Sequence, residues 1–224
     1  MNSKKLTDNI TDVIEKLYAN NYFTNHGPLA REFEKTIAQA TGFRNAVAIN
    51  SFEIALLIGV NAHSDTGSLI SIGDDKRLPN ILKLSGNNAS CFENHKNFES
   101  ASQVCSDGLS KLIYTSGNDC GTAPEVGDEN SNVALIEHCN YRNFQYRKNF
   151  EHYVAIVNLK EAFDVDYDFE GAVLFCDDDV LAEKFRNMRS SYGINRVVGV
   201  KATCNGRFSE FQAGLYLKYV QANL

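Results

Sequence analysis

Apolar side chains recur at Leu6, Ile10, Val13, Ile14 and Leu17, the spacing that gives a helix one buried stripe, so an amphipathic helix is predicted over Leu6–Leu17. The Asn20-Asn21 pair ends it. After a turn-rich connector, Tyr22–Pro28, a second helix places Phe33, Ile37 and Ala40 on its inner face and closes at Gly42. Asn45–Ile49 is a continuous apolar run of strand length, and Asn50-Ser51 then opens a third helix through Leu57. Ser68–Ile72, Leu112–Tyr114 and Val133–Tyr141 read as strands, Leu78–Leu84 as a short helix, Asn94–Ser110 as a polar surface helix or loop, and Gly117–Asn132 as a loop.

The order of signals is cleanest over Tyr153–Arg189. Val154–Leu159 and Gly171–Cys176 are short apolar runs, and the acid-rich link between them is too short for a crossover helix, so they are predicted to be neighbouring antiparallel strands. Asp177–Asp179 supplies an N-cap and negative charge to a helix start, and Val180, Leu181, Lys184, Phe185 and Met188 follow at helical spacing. Ser190–Val200 is a Gly-punctuated connector to a last helix running through Leu217 and Val220.

Composition narrows the function classes. With 224 residues, 43% hydrophobic and 22% charged, the chain is long enough for one sizeable α/β core, and one domain over residues 1–224 is expected. It has no apolar run of bilayer length, and Met1–Asp8 is polar, so a cytosolic, cytoplasmic location is expected. Six cysteines without a C-x-x-C pair read as idle thiols, not as a metal site. A net charge of −6 with no basic block argues against nucleic acid and anionic membranes as partners.

Several motifs carry more specific information. Phe23-Thr24-Asn25-His26-Gly27-Pro28 with Phe33-Glu34, Asn50-Ser51 with Ala55-Leu56, Gly171-Ala172, and Asn205, Arg207, Gln212 and Ala213 together resemble the DegT/StrS-type sugar aminotransferases, PLP enzymes that make amino sugars on nucleotide carriers. The resemblance implies an α/β fold: the three-layer α/β/α large domain of fold-type-I PLP-dependent transferases. Its sheet would be mixed but mostly parallel, with seven strands and one antiparallel strand from the Ile156/Val173 region. The small C-terminal domain of that family is expected to be absent.

The same resemblance locates the cofactor positions, and most are altered. Aligned on Gly171-Ala172, the family's serine falls at Asn158 and its Schiff-base lysine at Phe163, with Lys160 three residues earlier. At the phosphate-binding turn Ser51 is kept, while Phe52 stands for a glycine and Glu53 for a threonine, placing bulk and negative charge where a phosphate would lie. His138 takes the place of the aspartate that pairs with the pyridinium nitrogen, and Tyr141 that of a glutamine. The aromatic that stacks on the cofactor ring aligns near Lys76, and Phe163 and Tyr167 are candidates to fill the vacated volume. In the family the asparagine matching Asn205 reaches across a dimer interface.

These departures imply a catalytically degenerate homologue that binds no PLP and acts as a partner or regulator in amino-sugar or polysaccharide biosynthesis, as a homodimer or with an active paralogue. Two alternatives stay open. One is an enzyme acting on a nucleotide sugar in the remodelled cleft with His138, Cys139, Glu53 or Lys160; the other is PLP chemistry through Lys160. Ser51 as a plain helix cap and His138 as a satisfied strand-end histidine are the readings that need no ligand.

Overall fold

Alternation along the strands decides which side chains meet which layer of helices. The computed structural model describes residues 3–63, 68–72, 75–85, 92–95, 111–116, 133–139, 152–163, 169–190 and 205–223. The helices are α1 (Ser3–Asn20), α2 (Pro28–Thr41), α3 (Phe52–Ala62), α4 (Leu78–Ser85), α5 (Leu159–Phe163), α6 (Asp179–Arg189) and α7 (Glu210–Asn223). The strands are β1 (Asn45–Ile49), β2 (Ser68–Ile72), β3 (Phe92–His95), β4 (Lys111–Ser116), β5 (Val133–Cys139), β6 (His152–Asn158) and β7 (Ala172–Cys176).

The strands form one seven-stranded sheet in the order β1-β7-β6-β5-β4-β2-β3. Only β7 runs against its neighbours: Ile156 pairs with Leu174 and Val47 with the same Leu174 from the other side, both antiparallel. The remaining pairings are parallel. The C-terminal ends of β1, β2, β4, β5 and β6 therefore share one edge, where open α/β sheets hold their sites.

Ala46, Ala48, Leu135, Ala155, Val157, Val173 and Phe175 face one layer, packed with Val13, Phe33, Ile37, Tyr216 and Leu217 of α1, α2 and α7. Val47, Ile49, Ile136, Val154, Ile156 and Leu174 face the other, packed with Leu56, Ile58, Leu78, Phe185 and Met188 of α3, α4 and α6. The expected three-layer α/β/α architecture, with an antiparallel strand in the Ile156/Val173 region, is thus observed. No described helix is long and apolar enough to cross a membrane.

Two expectations are corrected. Phe92–His95, overlapping the stretch read as surface helix or loop, is edge strand β3, pairing parallel with Leu69–Ile72. Its Phe-Glu-Asn-His sequence lacks alternation because an edge strand needs little apolar content. Leu159 does not end β6 but begins α5, so Lys160 lies on a helical turn and not in an extended segment. On a helix, residues three apart are surface neighbours, so Lys160 and position 163 lie near each other along α5. Tyr141, Tyr167, Gly117–Asn132 and most of Ser190–Val200 lie outside the described residues.

Candidate functional site

Nine side chains meet at the shared strand edge. Ser51 has extended backbone and its Oγ accepts from Ile54 N at 3.3 Å, which caps α3. Phe52, the first residue of α3, is buried, and its ring lies 4.4 Å from the His138 ring at the end of β5. On Phe52 rests the guanidinium of Arg77, its Cζ 4.1 Å from the ring centroid. Strand alternation sends His138 to this layer and Cys139, buried at 9% exposure, to the other.

Arg77 is held by a fork: its Nε and Nη2 donate to Asp75 Oδ1 and Oδ2, each at 2.9 Å. Asp75 also accepts from the buried Tyr114 hydroxyl at 2.5 Å. Burial pushes the Asp75 carboxyl up, but the bonds from Arg77 and Tyr114 outweigh it and leave the carboxyl below its ordinary range. Glu53, in the first turn of α3, stands 3.9 Å from Arg77 Nη1.

On the far side, Asn158 Oδ1 accepts from Lys160 N at 3.1 Å and its Nδ2 donates to Glu161 Oε1 at 2.9 Å, so Asn158 caps α5 and orients Glu161. Glu161 Oε2 lies 3.4 Å from His138 Nε2. Burial of the imidazole lowers the His138 pKa, and Glu161 only partly opposes this. The result is a neutral imidazole held by a carboxylate, an arrangement able to move a proton. Lys160 is exposed, one position before Glu161 and about a quarter-turn around the helix.

A buried polar frame fixes this edge. Glu34 accepts from Ala48 N at 2.9 Å and pairs with Arg189, whose Nη1 also donates to Ala48 O at 2.9 Å. Glu210, with no exposed surface, accepts from Gly27 N, Leu29 N and Ala30 N at 2.7, 2.8 and 3.0 Å, so a carboxylate from α7 caps α2. The strap Asn205–Ser209 bridges Ser190, Ile49 and Asn25 in turn. Asn205 itself is exposed, and its carbonyl accepts from Asn50 Nδ2 at 2.7 Å.

The positions aligned with the family are only partly brought together. Ser51, Phe52, Glu53, His138 and Asn158 lie at the cleft, whereas Phe163 turns away into the α1/α2/α7 layer, 5.1 Å from the Tyr219 ring and 6.0 Å from Tyr216. Phe163 therefore does not fill the cofactor volume. Phe52 and Arg77 stack at the turn that opens α3, and Lys76, aligned with the stacking aromatic, is exposed. Asp75, Arg77, Tyr114 and Glu161 were missed because what brings them to the site is contact across the fold, with Phe52 under Arg77, Tyr114 on Asp75 and His138 beside Glu161. Among the described residues no group of His, Cys, Asp or Glu could hold a metal ion.

Bound PLP needs a phosphate turn open to close backbone approach, an acid under its ring nitrogen and a lysine in reach. Here a phenyl ring and a glutamate stand at the turn, a neutral imidazole stands at the ring position, and the aligned lysine position points into the core on the opposite layer. These residues do not fit the group as the family holds it.

The fold belongs to the PLP-dependent transferase class. Over 96% of its length the chain superposes on the crystal structure of DesI with its TDP-sugar product, with a TM-score of 0.74 and 19% identity, spanning 58% of that chain. A DegT/DnrJ/EryC1/StrS aminotransferase from Brucella abortus gives 0.71 and 18% over 97% of this chain and 64% of its own. GDP-4-keto-6-deoxymannose-3-dehydratase with a trapped PLP-glutamate geminal diamine gives 0.69 and 17% over 96% and 65%. At these identities the likeness shows the fold, and the chain spans less than two thirds of each structure. No curated protein is significantly similar in sequence. Residues 4–73 match the DegT/DnrJ/EryC1/StrS aminotransferase family, and it is to this family that the chain is related.

Proposed function

We propose that this chain is a catalytically degenerate relative of the PLP-dependent sugar-nucleotide aminotransferases that binds no PLP and acts in the cytosol as a partner or regulator in amino-sugar or polysaccharide biosynthesis, as a homodimer or with an active paralogue. One observation carries the reading: Phe52, backed by His138, supports Arg77 at the capped N-terminus of α3, where a phosphate-binding turn would need open backbone. Glu53 adds negative charge at the same turn, which repels a phosphate group. The burial of Phe163 against Tyr219 supports the reading further, because it leaves the aligned Schiff-base position outside the cleft.

The test is a spectrum of the protein incubated with PLP, followed by borohydride reduction and intact mass, with Lys160→Ala as control. The expected result is no band at about 420 nm and no adduct. A band and a reduced adduct lost in the control would place the Schiff base on Lys160 and overturn the reading.

The contact between Glu161 and His138 at 3.4 Å favours a second reading, an enzyme of different chemistry acting on a nucleotide sugar. Here His138 would move the proton and Glu161 would hold its ring. Stabilisation by a nucleotide sugar in a thermal-shift screen without PLP, lost in His138→Ala, would select this reading over the first.

A further inference from the structure

Arg77 engages a receptor made of separate segments. Asp75, 4% exposed at its side chain, takes two of its guanidinium nitrogens. The Phe52 ring from the start of α3 takes the guanidinium face. Glu53 stands beside the third nitrogen, and Tyr114 of β4 holds Asp75 in place from behind. A carboxylate fork beneath a planar cation on an aromatic face is the chemistry that distinguishes guanidinium from ammonium, which offers neither a plane nor a fork. Charge supports the same conclusion. Asp75 and Glu53 place two carboxylates against one guanidinium, so the receptor without Arg77 keeps an uncompensated demand for a cation.

The occupant is itself only partly embedded. The Arg77 side chain is 34% exposed and sits just ahead of α4, and its fork closes over two residues of sequence, a contact it can leave without disturbing the sheet. We propose that Asp75, Phe52, Glu53 and Tyr114 form a guanidinium-recognition site at the strand edge, and that Arg77 is its built-in occupant, a plug that a guanidinium-bearing ligand replaces. The proposal rests on the cleft being free of PLP.

Thermal unfolding of the native chain, Arg77→Ala and Arg77→Gln, titrated with methylguanidinium at constant ionic strength, tests it. Methylammonium and sodium chloride are the controls. Emptying the site is expected to lower Tm by about 2–6 °C. Methylguanidinium should restore at least half of that loss, saturably and in the millimolar range, while methylammonium should not; Phe52→Leu on the Arg77→Ala background should weaken the response severalfold. No saturable response in either folded variant, or an equal response to methylammonium, overturns the proposal. Nitrogen-15 spectra of the native chain decide the matter without any variant: hindered rotation of the Arg77 guanidinium supports a seated plug, and free rotation overturns it. A PLP band at about 420 nm in the native chain would overturn the cofactor-free reading by itself, whereas loss of the methylguanidinium response without such a band would sink only the guanidinium site.

Discussion

Glu210 shows how much a single buried carboxylate organises. It satisfies three orphan N–H groups at the start of α2, with all surface removed from water, and a charged acceptor in that position gains from both the hydrogen bonds and the helix dipole. Glu210→Gln keeps the shape but loses the charge and turns one oxygen into a donor facing N–H groups. The expected loss is about 2–4 kcal/mol in denaturant unfolding; a loss within experimental error would show that the cap is dispensable. His26 acts in the opposite sense. Its backbone is left-handed, with φ of 56°, and neither ring nitrogen has a hydrogen-bond partner among the described residues. Burial, reinforced by Arg189 and Arg207, lowers its pKa from 6.5 to about 3. Between those values the unfolded chain holds the extra proton, so the stability contributed by the neutral ring is full above 6.5 and is lost as pH falls toward 3. His26→Asn suits the left-handed backbone and cannot titrate. It should flatten the pH dependence of unfolding over this range by up to about 1.4 kcal/mol per pH unit; an unchanged slope would place the titration elsewhere. Neither role was legible in the sequence, where Glu210 is an unremarked position between Arg207 and Gln212 and His26 is one letter of a turn motif.

At the scale of elements, the sequence was most informative where the pattern is local. The 3.6-residue stripe of α1, the Gly42 end of α2 and the Asp178 cap of α6 were all readable because each depends on a few adjacent residues. Ser209 and Gln212 likewise form a reciprocal cap on α7, with Gln212 N donating to Ser209 Oγ at 3.2 Å and Ser209 N to Gln212 Oε1 at 3.4 Å. Edge strand β3 and the single turn α5 escaped for the complementary reason, since one is held by pairing with β2 and the other by Asn158. The junction before α2 illustrates an element set by close approach. A Cβ at Gly27 would lie 2.2 Å from Tyr22 Cδ1 and 2.8 Å from Glu210 Cδ. Tyr22 is half-exposed and able to swing aside, but Glu210 is held by its three donors. Gly27→Ala should therefore cost about 1–3 kcal/mol, and most of that cost should disappear in a Glu210→Gln background, where the cap is already weakened; simple additivity in the double variant would place the strain at Tyr22 alone.

Across the whole molecule, the sheet order and the two packed layers are those of this fold, and the positions aligned with the family's cofactor contacts carry structural tasks. Phe52 supports Arg77, Asn158 caps α5, and Phe163 packs beneath α7. That packing opposes a lysine at the aligned Schiff-base position. Phe163 is 2% exposed, among Leu159, Tyr216 and Tyr219, so a lysine there would have to bury its ammonium in an apolar layer or pull α5 out of place. Phe163→Lys is expected to lower stability by about 3–5 kcal/mol and to give no reducible PLP adduct. The two readouts separate the explanations. A stable variant that forms the adduct would mean that α5 turns readily toward the cleft and that one substitution supplies the lysine chemistry. A destabilised variant without the adduct would mean that the layer beneath α7 is built around the phenyl ring, so that the core itself excludes a lysine at this position.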